Sequence, residues 1–131
     1  MNYEEKIAKL EVARAAVEAA KVACEAVGVV VSVYGHDVFD TLAKQIDATR
    51  ASAERQRLPI AIGDEVLVGM GRDNQWGRAR LTAAGSRWIT AGGSQYDRKD
   101  GGEKTMGSSY PLHPDDLARI NRDLPTKRGA Q

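Results

Sequence analysis

Residues 63–102, GDEVLVGMGRDNQWGRARLTAAGSRWITAGGSQYDRKDGG, decide the fold, because here the chain alternates with a period of two. Between Asp64 and Met70, the side chains of Val66, Val68 and Met70 fall on one side. Between Trp76 and Thr82, Ala79 and Leu81 fall on one side and Trp76, Arg78 and Arg80 on the other. Alternation of this kind is the signature of strands that bury one face. Ala84-Gly85 predicts a tight turn into Ser86–Ala91, where Ile89 faces the core if Trp88 faces out. Gly92-Gly93 turns the chain again into a short strand around Gln95-Tyr96, and Asp100-Gly101 carries a type I′ hairpin signal. A return strand is expected near Ser108–Leu112. Four or five short strands joined by tight turns predict a small antiparallel β-barrel.

Upstream of this stretch the punctuation changes. Before Pro59 the chain holds no proline and only Gly28 and Gly35, whereas four prolines and eleven glycines follow Leu58. That contrast separates helices from hairpins. Residues 2–27 predict a helix: Tyr3, Leu10, Val17 and Cys24 recur every seven positions, Ala13, Ala20 and Val27 flank them, and Ile7 widens the stripe. Glu4 and Glu5 suit its first turn, and Gly28 is placed to stop it. Residues 37–57 predict a second helix, with Phe39, Leu42, Ile46, Thr49 and Ala53 on the core face. Asp37 and Asp40 near its start and Arg50, Arg55 and Arg57 near its end oppose the helix dipole. Between them, residues 28–35, GVVVSVYG, read as a short buried strand or extended linker, with continuation of the first helix as the rival.

After the barrel, Pro114 at the first helical position with Asp115 and Asp116 behind it opens a helix to about Arg122. The expected fold class is α+β: a helical hairpin over residues 1–57, then residues 58–124 as a small SH3-like barrel with a C-terminal helix, then a frayed tail at 125–131. A first helix of 26 residues would be about 39 Å long at 1.5 Å per residue, more than a barrel of this size can cover. The expected consequence is a homodimer through the N-terminal helices.

Bulk composition narrows function modestly. Charged residues make up 28% of the chain but net to +1, which favours neither nucleic acid nor an anionic membrane. Cys24 stands alone, so no intrachain disulfide forms, and its place in an Ala/Val-rich helix suits a small buried hydrophobe in a reducing compartment. Two glutamates occupy the start of the chain where a signal peptide would be basic, and Val27–Val33 is far too short to span a bilayer. The expectation is a cytoplasmic protein with no membrane association.

The order of elements in residues 60–120 has a counterpart among known proteins. A Gly-Asp-x-Val-x-Val strand is followed by an Arg-bearing strand, a Trp-containing strand, a Tyr-Asp-Arg-Lys-Asp-Gly turn and the closing YPLHPDD. This run resembles small SH3-like, Tudor-like β-barrel proteins encoded in bacteriophage genomes and, more distantly, KOW and Tudor barrels that bind RNA, DNA or peptides. The resemblance implies the barrel fold, a phage-like origin and hence a bacterial host cytoplasm. It implies no catalytic residue.

No motif for enzyme chemistry emerges. Gly69-Met70-Gly71 lacks the spacing of a phosphate loop and opens no helix, so it reads as a turn. His36, Asp37 and Asp40 could face a metal from one helical turn, but the structural reading as polar residues entering a helix is preferred and no metal or cofactor is expected. His113 reads as an N-cap, and Asp115 and Asp116 as first-turn carboxylates explained by the helix dipole.

The suggestive feature is a surface that alternation would assemble from Trp76, Arg78, Arg80 and Trp88, with Arg87, Arg98 and Lys99 beside it. Arg72 and Lys104 flank this group, and positions 72–104 carry seven basic against four acidic residues. Two structural readings compete with a working surface: the helices cover the tryptophans, or the arginines pair with Asp73, Asp97, Asp100 and Glu103. The functional expectation is a non-enzymatic accessory protein that binds a protein partner; the resemblance implies that it is phage-encoded and, as one such role, the inhibition of a host or defence protein. The alternative is a weak nucleic-acid-binding module using the same aromatic and basic face.

Overall fold

The computed structural model describes residues 2–71 and 75–125, so the expected tail beyond Pro125 and Arg72 lie outside the described residues. The chain divides into two compact units, Met1–Arg55 and Gln56–Gln131. The fold is α+β, with two packed N-terminal helices, a curled four-stranded antiparallel half-barrel and a short C-terminal helix.

In the first unit, α1 (Tyr3–Ala26) begins where the Asn2 side chain accepts the Glu5 backbone N–H at 2.8 Å. It ends in a Schellman motif: the Val29 N–H donates to the Cys24 carbonyl and the Gly28 N–H to the Glu25 carbonyl, with Gly28 at φ +74°. α2 (Val38–Arg57) runs antiparallel to α1. Three ion pairs show this, since Glu11, Arg14 and Lys21 meet Arg50, Asp47 and Asp40 in reversed order. The Lys21–Asp40 hydrogen bond raises the lysine pKa and lowers that of the carboxyl.

Ile7, Val17, Ala43 and Ala53 are the buried apolar residues described in these helices. Leu42, expected on the core face, is 43% exposed, and Ala43 takes that position. The rest of the expected face holds in part, with Ala53 buried and Phe39 and Ile46 half-buried. Alanine at the contact lets helices approach closely, which pushes the bulkier leucine to the shoulder.

Residues 28–35 do not continue α1, and the strand or extended linker expected there holds a short strand that is exposed instead of buried. β1 (Ser32–Val33) pairs with β2 (His36–Asp37) in a two-residue hairpin whose turn residues, Tyr34 and Gly35, sit at φ +51° and +78°. Those angles are type I′, the turn that matches strand twist. Ser32, Val33 and His36 of this ribbon are all exposed.

The second unit holds β3 (Glu65–Gly69), β4 (Trp76–Ala84), β5 (Trp88–Ala91) and β6 (Ser94–Asp97), paired in that order and antiparallel throughout. Val66, Leu81, Ile89, Ala91 and Tyr96 point inward and meet Ile60, Leu112 and Ile120 in one core. Alternation along β4 breaks at a bulge between Leu81 and Ala83, after which Ala84 faces the core opposite Ile89. Met70, expected beside Val66 and Val68, is exposed.

The half-barrel is closed by irregular backbone where a return strand was expected. Glu103 bridges to Tyr96 on β6, and Leu112 bridges to Val68 on β3. Gly69 donates its N–H to the Pro111 carbonyl at 2.7 Å, an approach that a Cβ at position 69 would block by meeting the Pro111 ring. Asp100-Gly101 does not make a two-residue turn, because the Asp97 N–H donates to the Gly102 carbonyl around a four-residue loop. Both edges of the sheet thus have partners.

α3 (Pro114–Asp123) is locked to this unit by buried polar groups. Asp116, 0% exposed, accepts the Leu67 N–H and the Arg119 guanidinium, both at 2.7 Å, while Arg119 also donates to the carbonyls of Leu58 and Pro59. The helix dipole therefore does not account for Asp116, and the sequence reading of it as a plain first-turn residue is corrected. Asp123 accepts the Ile60 N–H, and its pKa is lowered to about 2, first by its hydrogen bond with Arg122. Among the described residues, no helix is long and apolar enough to cross a membrane.

Candidate functional site

Strand parity places Trp76, Arg78 and Arg80 on the outer face of β4, and Trp88 on the outer face of β5, opposite Asp97. Strand pairing then separates them. Trp76 opens β4, whereas Trp88 lies beyond the far end of that strand, where the Gly85 N–H donates to its carbonyl. The two tryptophans therefore belong to different surroundings.

Trp76, 36% exposed, packs on His113, with ring centroids 4.4 Å apart and planes tilted by 55°. His113 is held by its capping role: its Nδ1 accepts the Asp115 N–H at 3.1 Å. Arg78 and Arg80 lie midway along β4 and point to solvent. Arg78 approaches Glu65 at 3.4 Å with both side chains exposed, and Arg80 donates to the Gly63 carbonyl. A contact of this exposed kind leaves the guanidinium largely available.

Trp88 is half-buried and flanked by two cations. The Arg87 guanidinium carbon lies 4.8 Å from its ring centroid and the Lys104 Nζ 5.3 Å. Lys104 is fixed there because its backbone N–H donates to the Gln95 carbonyl on β6 at 2.8 Å. Beside the ring runs a cleft of about 270 Å³, lined also by Asp97, Asp100, Glu103 and Pro111. One oxygen of each carboxylate accepts a local backbone N–H: Asp97 that of Lys99, Asp100 that of Gly102, and Glu103 those of Thr105 and Met106. The cleft thus joins an aromatic wall to charges of both signs.

Arg98 and Lys99 differ sharply from one another. Arg98 donates to the carbonyls of Gly85, Ala84 and Leu124 and to Asn121 Oδ1, so its guanidinium ties the β4–β5 turn to α3. Burial lowers its pKa. Lys99 is exposed, near a second hollow lined by Arg87, Asp97 and Arg98.

Sequence reasoning missed Lys104 as a partner of Trp88 and the acidic wall of the cleft. The signal for both was weak, because only the closing loop brings positions 100–108 over β5 and β6. Asp37 and Asp40 have structural occupations, since Asp37 accepts the Asp40 N–H at the start of α2 and Asp40 pairs with Lys21, while His36 is an exposed residue of β2. Among the described residues, no group of three or more His, Cys, Asp or Glu side chains is placed to hold a metal ion. Comparison with protein-family models, curated proteins and solved structures finds no match for this chain.

Proposed function

We propose that this chain is a non-enzymatic accessory protein that acts by binding a protein partner, with the Trp88 cleft as the contact. The supporting observation is the half-buried Trp88 ring between Arg87 and Lys104 at the edge of a 270 Å³ cleft with three carboxylates in its wall. An aromatic anchor with charges of both signs suits a peptide segment carrying an apolar side chain and mixed charge. A phosphate backbone laid in the same cleft would meet Asp97, Asp100 and Glu103. The bacteriophage-like origin and the inhibition of a host or defence protein rest on the sequence resemblance of residues 60–120.

Binding of single-stranded nucleic acid is the second reading, favoured by the exposure of Arg78, Arg80 and Arg87. Co-purification from bacterial extract, followed by measured affinity for the retained partner, separates the two. Trp88→Ala should weaken a protein partner by roughly thirtyfold or more, the scale of an interface hot spot, with a shallow salt dependence. Lys104→Ala, which spares the apolar ring, should weaken it less. A partner that binds Trp88→Ala as tightly as the wild type contradicts the assignment. A nucleic-acid ligand would instead lose affinity steeply with salt, roughly 0.7 log units per log unit of salt for each single-strand phosphate contact.

A further inference from the structure

The first unit carries an apolar surface that nothing in that unit covers. Val30 is 83% exposed and Tyr34 97%, and Val27, Val29, Val33 and Leu42 are exposed as well. Beside the hairpin lies a groove of about 590 Å³, lined by Val33, His36, Val38, Thr41, Leu42 and Gln45. Among the described residues β1 and β2 pair only with each other, so the outer edges of this ribbon have no strand partner there. No charged residue and no proline lies between Glu25 and Asp37, so of the devices that normally protect an exposed edge the ribbon has the shortness of its strands but neither charge nor proline.

We infer that a second copy of this chain covers this surface, in a twofold dimer where Tyr34 of each copy enters the Val33/Leu42 groove of the other. Three features select a second copy over an unrelated partner. First, one surface carries both a projecting ring and a groove, the self-complementary pairing that an isologous interface requires. Second, Val27, Val29, Val30, Val31, Val33, Tyr34 and Leu42 are all exposed, an apolar area comparable with the roughly 800 Å² that each side of a standard interface buries. Third, Val33, His36, Val38, Thr41, Leu42 and Gln45, which line the groove, include no Asp, Glu, Lys or Arg, so nothing in the lining selects a charged partner. The type I′ turn holds Tyr34 at the ribbon tip, and a tyrosine at positive φ is an uncommon choice that local folding does not require.

Sedimentation equilibrium of the full chain tests this. Wild type should be a dimer, and Tyr34→Asn should weaken dimerisation by roughly thirtyfold or more. Asn-Gly is the favoured type I′ pair, so this variant keeps the turn and its melting behaviour at low concentration. Leu42→Lys, which charges the groove, should dissociate the dimer as well. A wild type that stays monomeric at several hundred micromolar overturns the inference. So does a dimer that both variants leave unchanged, or association that continues past the dimer into open-ended species.

Discussion

The unit Gln56–Gln131 and the unit Met1–Arg55 solve the problem of an exposed strand edge in opposite ways. In the former, the backbone of residues 101–113 bonds to β6 at one edge and to β3 at the other, and eight buried side chains form one core. In the latter, a two-stranded ribbon stands with free edges and a row of exposed valines. In the half-barrel unit the strand hydrophobics go mainly into its core, although Leu58, Ile62, Met70 and Met106 stay exposed as scattered residues, and the contact proposed for it is Trp88 with Arg87 and Lys104. In the helical unit, apolar residues remain in excess of what two helices can bury, and that excess is the surface on which association is inferred.

The sharpest way to break the comparison is at the polar lock of α3. Asp116→Ala should cost about 3–5 kcal/mol in urea denaturation, because it strands the buried Arg119 guanidinium and the Leu67 N–H. A loss below about 1 kcal/mol would show that this lock does not hold the half-barrel shut.

Truncating one leucine in each unit sharpens the contrast. Leu81→Ala removes a fully buried side chain and should cost about 2–5 kcal/mol. Leu42→Ala, measured at concentrations where the chain is monomeric, should cost under about 1 kcal/mol, since the side chain is already largely in water. Equal losses at the two positions would put Leu42 in a core that the structure does not show.

What was legible in the sequence follows from the range of the interactions involved. The helices, the stop at Gly28, and the parity of β4 and β5 depend on neighbours a few residues away, and pattern alone exposes them. The burial of Ala43 in place of Leu42 was hidden because both are apolar, and only close packing decides between them. Asp116 looked ordinary beside Asp115, since its meaning comes from the Leu67 amide, 49 positions earlier. The Trp/Arg face was read with correct parity at each strand, yet pairing sets Trp76 and Trp88 at opposite ends of β4. Arg98 looked like its basic neighbours in sequence, although its donors turn inward to three carbonyls and Asn121.

Native-state hydrogen exchange, followed as protein concentration is raised, tests the central claim most directly. Amides that close the half-barrel, those of Leu67, Gly69, Asp97 and Leu112, should be protected to the level of global unfolding at every concentration. Amides of Val30–Gly35 should exchange rapidly in dilute solution and become protected only as dimer forms. Rapid exchange at Gly69 and Leu112, or ribbon protection that is already complete in the monomer, would contradict the account.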